Sequence, residues 1–170
     1  MDEIDRIILQ TLRADGRATL SRLSEVTGLS TSASQARLHR LEKTEVIRGY
    51  KALVDLDSIG LPIAAFIEIT PLDPSAPDDA PDRLRQFSEI ESCYSVAGES
   101  SYLLLVRVAT PLRLEELLQK IRSAAGVSTR TTVVLSTPFE GRAALPGDEN
   151  ADPGDPPKED LPEGKSPEQP

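Results

Sequence analysis

The sequence predicts an α+β protein: an N-terminal three-helix (winged) helix-turn-helix domain followed by a C-terminal ferredoxin-like βαββαβ domain. Three observations carry the prediction. Residues 19–50 read as a short amphipathic helix, a glycine-containing turn and a second helix. Residues 63–137 alternate strand-like and helix-like patterns in the order β-α-β-β-α-β. Between and beyond them the composition changes, to turn formers at 55–62 and to proline and acidic residues at 146–170.

In the first helix, expected over 2–14, Ile4, Ile7, Ile8 and Leu12 share one face. Asp2, Glu3 and Asp5 in its first turn favour the helix dipole, and Asp15-Gly16 ends it. Thr19 is the expected N-cap of the second helix, where Leu20, Leu23 and Val26 recur at helical spacing until Gly28 stops it.

Ser30 opens the third helix, expected to reach about Glu45, with Leu38 and Leu41 continuing the apolar stripe. Outside that stripe lie Thr31, Ser32, Gln35, Arg37, His39 and Arg40. Amide, hydroxyl and guanidinium groups on an exposed helix suit a DNA major groove, and in this motif the N-terminal part of the second helix contacts bases. Those six are the candidate DNA-binding residues, and Arg22 and Arg48 are weaker candidates for phosphates. The competing reading, a solvated surface helix, is outweighed by the turn pattern around it.

From Val46 to about Val54 apolar and β-branched residues alternate, which predicts a short strand leaving the helical domain. Asp55 to Pro62 predicts a hinge. IAAFIEIT from Ile63 is the next strand, and PLDPSAPDDAP is an aperiodic loop. Leu84, Phe87 and Ile90 predict a helix over 82–90. Strands follow at 92–97 and 102–109, joined by Gly98-Glu99-Ser100-Ser101. Leu114, Leu117, Leu118 and Ile121 predict a helix over 112–124 that Gly126 ends, and the last strand spans 128–137. With both helices on one face of the sheet, the apolar strands predict sheet-to-sheet packing between chains.

The chain has 170 residues and a formal net charge of −9, which on its face argues against a nucleic-acid partner. The charge is uneven. Residues 1–51 carry nine Lys/Arg against seven Asp/Glu, residues 52–145 eight against thirteen, and residues 146–170 two against eight. The helix-turn-helix is thus mildly basic within an acidic chain. Cys93 and His39 are the single cysteine and histidine, which removes intramolecular disulfides, cysteine- or histidine-rich metal sites and most Ser/His/Asp triads. The charged N-terminus shows no signal peptide and no apolar run has membrane length. We expect a cytoplasmic, nucleoid-associated protein without a metal. The segment 146–170, with seven prolines, is expected to be a disordered acidic tail.

Residues 2–140 resemble the Lrp/AsnC, or feast/famine, family of regulators. The resemblance rests on IDRIILQTLRADGRATLSRLSEVTGLS followed by RLHRLEKTEVIRGY, and on VAGESSYLLLVRV in the C-terminal half. The loops PLDPSAPDDAP and SCYSVAGESSY look most like the actinobacterial branch. The resemblance implies a transcription regulator that binds double-stranded DNA as a homodimer, assembles to octamers, and binds an amino-acid effector between dimers. It implies that Gly98, Glu99, Ser100, Ser101 and Tyr102 form the effector site, glycine allowing close backbone approach. It divides the chain into a DNA-binding domain (1–50), a strand and hinge linker (51–62), an effector-binding and oligomerisation domain (63–140) and a tail (141–170).

Three positions depart from the family pattern. Serine stands at 101 where the family often has an acidic residue. Ser34 replaces an apolar residue, so its hydroxyl must bond a backbone carbonyl or the domain is less stable. Glu45 replaces a helix-ending glycine, so this helix must end by another route.

The leading function is a sequence-specific DNA-binding regulator whose assembly or DNA affinity responds to a small metabolite. An architectural protein that wraps DNA without an effector is the alternative. An enzyme built on Glu99, Tyr102 and Cys93 lacks a nucleophile–base pair or metal-ligand spacing, so no catalytic residue and no cofactor is assigned.

Overall fold

In a computed structural model that describes residues 1–75 and 77–141, the chain divides into compact units at 1–51 and 52–140. The tail expected to be disordered lies outside the described residues.

The first unit holds α1 (Glu3–Ala14), α2 (Leu20–Thr27) and α3 (Thr31–Lys43). Each start follows from a cap. Asp2 and Asp5 form a reciprocal capping box on α1, the Thr19 side chain accepts from the Arg22 amide, and Ser30 accepts from the Ala33 amide. Gly28 ends α2 in the left-handed region at φ 68°, where glycine is unstrained. Ile8, Leu9, Leu23 and Leu41 form the core, flanked by Ile4, Leu12, Leu20, Leu38 and others. Leu9, not Ile7, completes the buried face of α1: in a helix Leu9 is one turn beyond Asp5 and beside Ile8.

Helix α3 stops at Lys43, two residues before the expected end. Thr44 caps it and Glu45 takes φ 57°, the left-handed turn that glycine makes elsewhere. The Glu45 amide donates to the Glu42 carbonyl, and the Ile47 amide to that of Leu41. This is the other route by which the helix ends without glycine.

The expected strand at 46–54 is absent, and with it a paired wing. A strand needs a neighbouring edge for its backbone groups. Among the described residues the regular elements of the first unit are all helices, and the four strands of the sheet pair with one another. Val46, Tyr50, Leu53 and Val54 are instead exposed in irregular chain, followed by a turn over 56–60.

The second unit is the expected β-α-β-β-α-β: β1 (Ile63–Pro71), α4 (Ala80–Leu84), β2 (Ile90–Ser95), β3 (Tyr102–Val108), α5 (Pro111–Ala125) and β4 (Val127–Val133). The sheet is antiparallel in the order β2-β3-β1-β4. Helix α4 has five residues because its last expected turn is used otherwise. Phe87 and Ile90 pack on the core from beyond it, and Ile90 already starts β2. Thr110 caps α5 and Gly126 ends it at φ 62°.

Strand alternation divides the sheet into two faces. Ala65, Ile67, Ile69, Tyr102, Leu104 and Val106 are buried with Leu84, Leu114, Leu117 and Ile121 of the helices. The opposite face presents Phe66, Glu68, Leu103, Leu105 and Tyr94, of which Phe66 and Tyr94 are 38% and 52% exposed.

Candidate functional site

Helix α3 turns its residues by 100° each, so the buried Ser34 and Leu41 fix its inward face. Opposite them, Ser32, Gln35, Ala36, His39 and Lys43 form one exposed ridge. Ser32, Gln35, Ala36 and His39 line an open groove of about 580 Å³ with Leu20 at the start of α2. Thr31 is exposed at the first helical position. A methyl, a hydroxyl, an amide and an imidazole on one helix face match what base edges offer. Ala36 and Lys43 were not among the sequence candidates, because neither residue type stands out without the orientation of the helix.

The structure turns the two arginines away from that ridge, towards α1. Arg37 Nη1 donates to Asp2 Oδ2 at 2.6 Å and Asp5 Oδ1 at 3.0 Å. Arg40 Nη2 reaches Asp5 Oδ1 and Oδ2 at 2.7 and 2.6 Å. Asp5 is 1% exposed, whereas the Arg40 side chain remains 55% exposed. The hydrogen bond from Arg37, with the Asp5 amide, pulls the Asp2 carboxyl down to about 2. Burial would raise Asp5, but the Asp2 amide and the two guanidinium groups outweigh it and its pKa is lowered. Arg37, between two carboxylates, is raised. Arg37 is therefore a brace between α1 and α3, and Arg40 is braced on one side and open to solvent on the other. Arg22 pairs with Glu25 at 2.8 Å on α2.

Ser34 is fully buried, with its Oγ 3.4 Å from Thr27 Oγ1. Thr27 donates its own proton to the Leu23 carbonyl at 2.6 Å, so it accepts from Ser34. The serine's contact is thus a long one to a hydroxyl on α2, where the sequence offered a bond to a backbone carbonyl or a less stable domain.

In the second unit, Gly98, Glu99 and Ser100 line a shallow depression of about 370 Å³ with Glu68, Val96 and Leu103. Ser100 Oγ donates to Glu68 Oε2 at 2.9 Å. Ser101 fixes the turn through its backbone: its amide donates to the Ile69 carbonyl and its carbonyl accepts from the Val96 amide. Gly98 is not in the left-handed region, and a Cβ there would meet nothing within 4 Å. The turn itself does not require glycine.

Tyr102 does not join this group. It lies on the helix-covered face of β3, buried, and its hydroxyl donates to Asp78 Oδ1 at 2.8 Å. That bond holds the phenol above its ordinary pKa. Glu68, Val96 and Leu103 were not sequence candidates. Their adjacency to the 98–101 turn follows from the β1–β3 register, which pairs Glu68 with Leu103. Cys93 lies at the other side of the sheet, its thiol pushed up by burial. Among the described residues no group of three or more His, Cys, Asp or Glu is placed to hold a metal, and no helix is long and apolar enough to cross a membrane.

A helix-turn-helix unit with an exposed recognition ridge, joined to a ferredoxin-like unit with its own small depression, defines a DNA-binding regulator with a separate ligand-binding domain. Residues 1–42 match the AsnC-type helix-turn-helix domain, and residues 64–144 the Lrp/AsnC ligand binding domain. The chain is 55% identical over 146 residues to the HTH-type transcriptional regulator LrpA of Mycobacterium tuberculosis, covering 86% of this chain and 97% of that one. It is 36% identical over 140 residues to the leucine-responsive regulatory protein of Escherichia coli, covering 79% and 85%. A solved feast or famine regulatory protein of M. tuberculosis, complexed with L-methionine, superposes with a TM-score of 0.83 at 55% identity, covering 85% and 99%. The chain belongs to the Lrp/AsnC family of transcriptional regulators, as its sequence motifs imply. It is a DNA-binding protein of a non-enzymatic family.

Proposed function

We propose that this chain binds specific double-stranded DNA through the exposed ridge of α3 and tunes that binding with an amino acid held at the 98–101 turn. The observation that carries the reading is the division of labour on α3. Its inner flank is braced by Asp5, while Ser32, Gln35 and His39 stay open. Phosphate contacts supply salt-dependent affinity and the ridge supplies sequence choice.

The L-methionine complex of the 55%-identical relative supports an amino-acid effector here. The open face of the sheet, with Phe66, Tyr94, Leu103 and Leu105, supports a homodimer formed sheet to sheet and assembled further to an octamer. Residues 1–50 act as the DNA-binding domain, 51–62 as linker and 63–140 as the effector-binding and oligomerisation domain. The protein works in the cytoplasm on the nucleoid. A ligand between dimers acts only by preferring one assembly over another.

Light scattering of the full chain with each of the twenty amino acids, paired with competition between specific and random DNA, tests this reading. One amino acid should change a discrete assembly, and specific DNA should resist random competitor. Equal competition by random DNA and indifference to every amino acid would favour the architectural alternative.

A further inference from the structure

We propose that the Glu68 carboxylate is the group that binds the ammonium of the amino-acid effector, and that Ser100 positions it; this rests on the effector reading above. Glu68 sits at the centre of a row that crosses the open face of the sheet: Arg130 on β4, Glu68 on β1, Leu103 on β3 and Tyr94 on β2. It is half-buried and lines the same depression as the 98–100 turn.

Ser100 Oγ donates to one Glu68 oxygen at 2.9 Å, which occupies one of about four acceptor positions on an ionised carboxylate. The oxygen is thereby held in place while acceptor capacity remains for an ammonium, which has three donors and gains most from a charged, partly desolvated acceptor. A zwitterion also needs a cation beside this anion, and Arg130 stands opposite Glu68 in the strand register. Val96 and Leu103 supply an apolar wall, so the site favours an aliphatic or thioether side chain. With serine at 101, β1 supplies a carboxylate anchored by the turn. Glu99, the acid of the turn itself, is exposed.

The test uses titration calorimetry on the full chain with L-methionine as probe, and with its 2-oxo acid analogue, which lacks the ammonium. Glu68→Gln keeps an oxygen for Ser100 but removes the charge. It should weaken L-methionine binding about tenfold or more and leave the weaker binding of the oxo acid unchanged. Ser100→Ala should weaken L-methionine binding by a smaller factor. Equal L-methionine affinity in the parent and Glu68→Gln chains overturns the assignment of Glu68 while leaving the effector reading intact. A parent chain that binds none of the twenty amino acids overturns the effector reading, and this inference with it. Losses for Glu68→Gln that are equal for L-methionine and the oxo acid also overturn it, because a role confined to turn structure predicts that pattern.

Discussion

Arg40 and Asp5 lie 35 residues apart and are joined by two hydrogen bonds, at 2.7 and 2.6 Å, from one guanidinium nitrogen to both carboxylate oxygens. The contact ties the recognition helix to the first turn of α1, where Asp5 also closes the capping box with Asp2. Removing one partner of a buried ion pair costs about 3–5 kcal/mol, and the solvent exposure of Arg40 lowers that here. Asp5→Ala should destabilise the helical unit by about 2 kcal/mol, read from denaturant unfolding of the full chain.

The same cluster sets an acid limit. The folded pKa values of Asp2 and Asp5 are both lowered, Asp2 to about 2. Their contribution is complete above the unfolded carboxylate value of about 3.9 and is lost as pH falls through the folded values. Helical circular dichroism should therefore decline between about pH 4 and pH 2 in the parent chain, and an Asp2→Asn, Asp5→Asn chain should show less of this loss.

Glu45 holds a left-handed conformation that costs an L side chain about 1 kcal/mol or more and glycine little. Glu45→Gly should stabilise the helical unit by about 0.5–1 kcal/mol, since the gain exceeds glycine's extra freedom in the unfolded chain. A drop in the urea midpoint would show that Glu45 contributes an interaction that offsets its strain.

Ser34 and Thr27 test the buried polar contact. Their oxygens are 3.4 Å apart, a long bond, and Thr27 keeps its bond to the Leu23 carbonyl when Ser34 is shortened. Ser34→Ala should shift stability by less than about 1 kcal/mol. Leu23→Ala, in the same core, should cost about 2–5 kcal/mol. Chemical unfolding of the two variants side by side gives the comparison.

Tyr102 lies on the wrong face of β3 to meet a ligand at the turn, and its hydroxyl is taken by Asp78. Tyr102→Phe should leave L-methionine affinity within about twofold of the parent chain, because an oxygen that does not touch the ligand contributes no bond to lose. A tenfold loss in calorimetry would return Tyr102 to the effector site.

Local chemistry made the helices legible. Thr19 and Ser30 each cap the helix that follows them, and Gly28 and Gly126 end the helices before them. The β-α-β-β-α-β order was likewise readable from the change of period at Ile63 and Leu112. What was not legible is what depends on distant neighbours. Val46 to Val54 has strand residues but pairs with no strand among the described residues. Arg37 and Arg40 read as cations for DNA because nothing local reveals Asp2 and Asp5 beside them. Glu68 joins the turn only through a pairing 35 residues away with Leu103. Tyr102 was grouped with the turn by its position in the chain, whereas strand alternation sends it to the opposite face.

The most direct test of the central claim is fluorescence anisotropy of the full chain on its selected operator and on random duplex DNA, across a salt series. The variant to compare is Gln35→Ala, His39→Ala. The account predicts that the double variant loses about tenfold or more of its preference for the operator while keeping the slope of log affinity against log salt, because base contacts go and phosphate contacts stay. An unchanged operator preference would contradict the assignment of sequence reading to the exposed ridge of α3.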